Sequence, residues 1–196
     1  MAGSSAIAGP DHAIDSMLTA IQEHRQDDTT KVNMYVALAN MYKYNGVEPA
    51  YASVVKGLAI AERLHFDKGI ADCEHIMGIT WLFKAQYDKA NHHFRRALAI
   101  YEQRGDNGGM ANTYHLMGIN YAHQEKFDTA NGYFNAAITY GRRNKDTALV
   151  SDAIDNIGSS YLSTGNYPEA LDHFLKGLRM REQLNYKLAV AVSLSI

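Results

Sequence analysis

Histidines and aspartates are the residues of this chain best equipped for chemistry, and their spacing decides what they can do. His75 and His115 stand 40 residues apart, which invites a shared metal ion. Two zinc ligands must each approach to about 2 Å, whereas matching points on packed neighbouring helices lie about 8–10 Å apart. No third and fourth ligand accompanies them, so no metal centre is expected. The adjacent His92 and His93 point about 100° apart on a helix and do not converge on one ion. Asp152 and Asp155 lie three apart on one helix face, as a general acid–base pair would. Their place near a helix N-terminus, where the dipole favours acids, reads instead as structural or as charge offered to a ligand. No serine sits in a nucleophile-elbow pattern, and the run Gly105 to Gly109 follows a helix rather than a strand, so no phosphate-cradling loop forms. The single cysteine, Cys73, excludes an internal disulfide and a cysteine-based zinc site; it reads as a small buried residue. No catalytic constellation and no cofactor are expected.

The elements that must position these residues repeat. Gly78, Gly118 and Gly158 recur at an interval of 40, and the same offset carries Trp81 to Tyr121 and Tyr161. It also carries Tyr87 to Phe127 and Tyr167, Ala90 to Ala130 and Ala170, and Phe94 to Phe134 and Phe174. Five columns repeating three times without slippage define a repeat protein. Glu74, Tyr114 and Ile154 fill a less regular column just ahead of each Met/Ile–Gly pair.

This pattern resembles the tetratricopeptide repeat, a helix–turn–helix unit in which small residues let two helices approach and large ones fill the gaps. Two features depart from it. The closing proline is replaced by Glu102, Arg142 and Glu182, and the period is 40 rather than 34. Both imply longer helices, since no proline interrupts them. The resemblance implies an all-α fold, a right-handed α-solenoid of stacked antiparallel helix pairs. Forty-residue variants of this kind look like those of bacterial signalling proteins (sensor kinases, cyclases and peptide-responsive regulators), and they also occur in some eukaryotic scaffolds.

Along the chain, residues 1–10 read as a flexible leader. Asp11 can cap a helix over 11–30, in which Ile14, Met17, Leu18 and Ile21 form one apolar stripe. Two periods carry Phe94 onto Ile14, so this helix is in the phase of a second (B) helix whose first (A) partner is missing. Four units follow at 31–70, 71–110, 111–150 and 151–190. The first is the most divergent, with Leu38 in the glycine column and Met41 in the aromatic one, as terminal units of solenoids often are. Asn45-Gly46 is its expected turn, and Pro49 suits a first helical turn. Gln86-Tyr87-Asp88, Lys126-Phe127-Asp128 and Asn166-Tyr167-Pro168 are the expected hairpin turns, with links between units at Gly105 to Gly108 and Asn144 to Asp146. Leu188, Val190, Val192, Leu194 and Ile196 read as the start of a truncated fifth unit at 191–196. The array is thus expected to continue in a longer protein, or to pair there with another copy.

With 46% hydrophobic and 20% charged residues the chain is built to fold. A formal net charge of −2 argues against nucleic acid, which needs a clustered cationic excess. No run of 18 apolar residues is present and no secretion signal precedes the helices, so the expected compartment is the cytoplasm and no membrane partner is implied. Arg95-Arg96 and Arg142-Arg143-Lys145 read as solvated ends of B helices. By resemblance, a ligand lies on the concave wall made by the A helices, at positions that packing does not use. These are Asp72, His75, Ile79 and Phe83; then Asn112, His115, Ile119 and His123; then Asp152, Asp155, Asn156, Ser159 and Ser163. Such a wall suits an extended peptide or a partner helix. The lysines and arginine by which co-chaperone members of the family hold an acidic C-terminal tail are missing, so a basic or apolar peptide is the expected partner. The reading is a non-enzymatic protein- or peptide-binding scaffold, a sensory or docking module of a larger bacterial signal-transduction protein. The alternative is an architectural oligomerisation module that pairs through the ends of the solenoid.

Overall fold

The structure, a computed structural model, describes the backbone of residues 10–42 and 46–194 and the side chains of residues 12–42 and 46–185. Among these residues it contains nine helices: α1 (Pro10–Glu23), α2 (Thr29–Tyr42), α3 (Val47–Arg63), α4 (Asp67–Phe83), α5 (Tyr87–Arg104), α6 (Asn107–Ala122), α7 (Phe127–Arg143), α8 (Thr147–Ser163) and α9 (Tyr167–Leu194). The chain divides into two compact units, residues up to Ile100 and from Tyr101 onward. Within the first, α2 packs on α3, α3 on α4, and α2 also touches α4; within the second, α6, α7, α8 and α9 pack in sequence and α6 touches α8. Each unit is thus a stack of antiparallel helix pairs.

Why the pairs lie so close follows from the repeated columns. The Phe94 ring, with no exposed surface, lies against Gly78, where a Cβ would overlap it. Phe134 does the same to Gly118, whose Cβ would come within 2.5 Å of the ring, and Phe174 to Gly158, at 3.0 Å. A glycine in mid-helix costs about 1 kcal/mol relative to alanine, and burial of the whole phenylalanine side chain, about 2–3 kcal/mol, more than offsets it. Ala90, Ala130 and Ala170 are likewise buried between the paired helices. In the α2–α3 pair the corresponding positions are Leu38 and Val54, both buried. Bulk has moved from the second helix to the first.

Every described turn from α3 onward closes in one way. One residue within the first three after each helix adopts positive φ: His65, Ala85, Gly105, Glu125, Lys145 and Gly165, with angles from 51° to 78°. The residue after it donates its N–H five positions back, as in Phe66 N to Ala61 O and Gln86 N to Trp81 O, both 2.9 Å. This is the Schellman closure, which satisfies carbonyls left over at a helix end. It places the hairpin turns at residues 84–86, 123–126 and 164–166, so Tyr87, Phe127 and Tyr167 begin α5, α7 and α9 instead of lying in the turns. Asp106 and Asp146 cap α6 and α8, accepting from Gly109 N at 2.8 Å and Leu149 N at 3.0 Å. Pro49 sits in the first turn of α3. The expected turn at Asn45 and the side chain of Asp11 lie outside the described residues.

The C-terminal end differs from expectation. α9 runs as one helix of 28 residues to Leu194, with no break where a fifth A helix was placed. Among the described residues no helix is long and apolar enough to cross a membrane.

Candidate functional site

The wall residues divide between the two units and are taken unit by unit. In the first, all lie on α4. Asp72 is half-buried and paired with Lys68 at 2.6 Å. The His75 ring packs on Phe94 with centroids 6.0 Å apart. Ile79 is 8% exposed and belongs to the core, offering little to a ligand, whereas Phe83 is 53% exposed.

In the second unit α6 and α8 lie side by side. His115 repeats the geometry of His75, its ring on Phe134 at 5.8 Å. Its Nε2 lies 2.8 Å from Asn156 Nδ2, so the asparagine amide of α8 donates to the imidazole of α6. Burial holds the His115 imidazole below its ordinary value, opposed by the carboxylate of Asp152. A neutral ring is what an acceptor Nε2 requires. Around this pair Ile119 is half-buried, while Asn112, Asp152, Ser159 and Ser163 are exposed, as is His123 just past the end of α6. Asn112 and the two serines bond to backbone carbonyls of their own helices at 3.0 Å. The aspartates do not act as a free acidic patch. Arg181 of α9 binds Asp155 at 2.5 Å and approaches Asp152 at 4.0 Å. Gly177 leaves the room in which the Asp155 carboxylate lies. Paired with a cation and not with each other, these acids are arranged for structure rather than for proton transfer.

Two clusters were not anticipated. Glu74 is fully buried, yet it carries a carboxylate between His93 Nδ1 at 2.7 Å and Arg96 Nη1 at 2.8 Å. Arg96 therefore lies mid-helix on α5 against α4, not at a solvated helix end. The sequence signal was a charge in the column that holds Tyr114 and Ile154 in the next two units. In the second unit four tyrosines stack in series. Tyr121 lies on Tyr133 (5.2 Å, 6°), Tyr133 on Tyr114 (6.2 Å, 29°) and Tyr114 on Tyr140 (5.5 Å, 11°). Lys126 covers one end at 5.9 Å and Arg143 the other at 5.0 Å, favourable cation–π geometry. The Tyr114 hydroxyl donates to Glu102 at 3.1 Å, and burial together with that carboxylate pushes its pKa up to about 12. Cys73 is buried, and desolvation pushes its thiol up to about 12. Among the described residues no group of three or more His, Cys, Asp or Glu side chains could hold a metal ion.

Residues 109–183 match the tetratricopeptide repeat family model. The stacked helix pairs of both units have the same helix–turn–helix build as that family's repeat. No curated protein matches it significantly. Among solved structures it is similar to BtubC (BKLC) from P. vanneervenii, with a TM-score of 0.72 and 19% identity over 89% of this chain and 73% of that one. It is similar to aspartyl phosphate phosphatase F from Bacillus subtilis, with a TM-score of 0.78 and 17% identity over 90% of this chain and 49% of that one. A Rap protein complexed with competence and sporulation factor gives a TM-score of 0.79 and 20% identity over 87% of this chain and 48% of that one. The chain spans about half the length of the last two, and at these identities the likeness is one of fold.

Proposed function

We propose that this chain is a non-enzymatic scaffold that binds a peptide or partner helix on the face formed by α6 and α8. The observation that carries this reading is the His115–Asn156 hydrogen bond, which joins the A-type helices of consecutive repeats at 2.8 Å. Polar groups spent on a bond between two repeats, rather than inside one, give that face a fixed spacing and a half-open polar centre. Such a centre can exchange bonds with a ligand backbone. Neither α6 nor α8 contains a lysine or arginine; Asp152, though 4.0 Å from Arg181, keeps 62% of its side chain exposed, and Ile119 of α6 is half-buried. The favoured ligand is therefore basic or apolar rather than an acidic tail. The Rap protein complexed with competence and sporulation factor supports a role as the sensory or docking part of a larger bacterial signal-transduction protein. A random peptide library panned against the full chain tests the reading. Enriched peptides should be apolar or basic and should lose affinity for Asn156→Ala and His115→Ala. Peptides that bind both variants as well as the parent, or no enrichment at all, would remove the α6–α8 face from the argument.

A further inference from the structure

The last helix carries leucines where the repeat does not call for them. Leu171, Leu175 and Leu178 fall at i, i+4 and i+7 of α9, one stripe, and are 60%, 40% and 46% exposed. In α7 the corresponding residues are Asn131, Asn135 and Ile138. There Ile138 is buried in the core that α8 shares, Asn131 is half-buried and Asn135 lies in solvent. A following repeat helix would accordingly cover Leu178 but would leave Leu175 wet. Something other than the next repeat is needed to use the whole stripe.

We infer that the stripe is the contact of a two-fold dimer in which α9 of one chain lies antiparallel on α9 of a second copy, centred on Leu175. Three observations select this occupant. First, the stripe is complementary to itself, since antiparallel pairing about Leu175 brings the two Leu175 side chains together and sets Leu171 within one residue, about 1.5 Å, of level with Leu178 of the other copy. Second, its flank is complementary in charge. Asp172, which pairs with Lys176 of its own helix and stays 59% exposed, and Arg179, also exposed, lie seven residues apart on the same side of the stripe. Antiparallel pairing brings Asp172 of each copy to Arg179 of the other, whereas parallel two-fold pairing puts the charged flanks of the two copies on opposite sides of the contact, where they do not meet. Third, α1 presents an exposed polar row of His12, Asp15, Ser16, Thr19 and Glu23, a poor match for leucines, so head-to-tail stacking onto α1 does not satisfy the stripe. An isologous contact closes at two copies.

Sedimentation velocity of the full chain over a wide dilution series reads the association directly. A monomer–dimer equilibrium is expected. Leu175→Glu alters both sides of the two-fold contact and should weaken it on the order of a hundredfold. Asp172→Arg and Arg179→Asp alone should each weaken it on the order of tenfold, because each converts two attractions into repulsions. The double swap Asp172→Arg/Arg179→Asp should restore parental association. All three positions are exposed, and circular dichroism confirms that each variant is folded before it is scored. A chain that stays monomeric at every concentration, a dimer indifferent to Leu175→Glu, or a double swap no better than its parents overturns the inference.

Discussion

Exchanging bulk across one helix pair gives the sharpest test of how these repeats are packed. Gly118→Leu places a side chain where even a Cβ would come within 2.5 Å of the buried Phe134 ring. Overpacking of this kind costs about 1–3 kcal/mol, or more where the ring cannot retreat, less about 1 kcal/mol returned by helix propensity. Phe134→Val alone opens a cavity and should cost about 2–3 kcal/mol, somewhat below the usual range for truncating phenylalanine to alanine. Independent effects would sum to roughly 4 kcal/mol, a large share of the 5–15 kcal/mol available to a domain. The α2–α3 pair, however, already carries leucine and valine at the corresponding buried positions, Leu38 and Val54. The double variant Gly118→Leu/Phe134→Val should therefore recover most of the loss, with a coupling of roughly 2–3 kcal/mol. Urea unfolding of the four proteins, followed by far-ultraviolet circular dichroism and compared at constant m-value, measures the cycle. If the double variant loses the sum of the singles, the two positions do not share one space, and the register of glycine on phenylalanine is wrong.

Other consequences follow from individual side chains. Glu74→Ile, which installs the residue of the third matching column, should leave stability within about 1 kcal/mol or raise it, because a buried ion pair is commonly replaceable by apolar bulk. Arg96→Ala strands the carboxylate and should cost about 2–4 kcal/mol in the same unfolding assay. His115 is held below its ordinary value of 6.5 by burial, so the unfolded chain takes up the proton more readily. Its contribution is complete above about pH 6.5 and is lost as pH falls through the folded value. The drop in melting temperature between neutral and mildly acidic buffer should shrink in His115→Gln, and an unchanged drop would place the titration elsewhere. Cys73, buried with its thiol pushed up to about 12, should resist Ellman's reagent in the native protein and react fully in denaturant. Rapid native labelling would contradict its burial.

The packing columns could be read from sequence because they recur. Gly78 with Phe94 is ambiguous alone, but three copies at one interval leave only a steric explanation. What occurs once was harder to see. The partners of Glu74 lie a helix away at His93 and Arg96, and neither a histidine pair nor an arginine pair announces a buried carboxylate. Asp155 was legible as an acid on an exposed-looking face, while its neutralisation by Arg181 depends on α9 crossing α8. The positive-φ turns at Ala85, Glu125 and Lys145 carry no glycine to mark them.

The aromatic residues also give each half of the molecule its own voice. Trp81, the lone tryptophan, is held edge-on to Tyr51 with Lys84 and Lys89 over its ring, so indole fluorescence belongs to the N-terminal unit. The four-ring tyrosine pile belongs to the C-terminal one, and its near-ultraviolet circular dichroism collapses only when that pile comes apart. Heating one sample and recording both signals therefore distinguishes a single cooperative melt from a sequential one, with no label added.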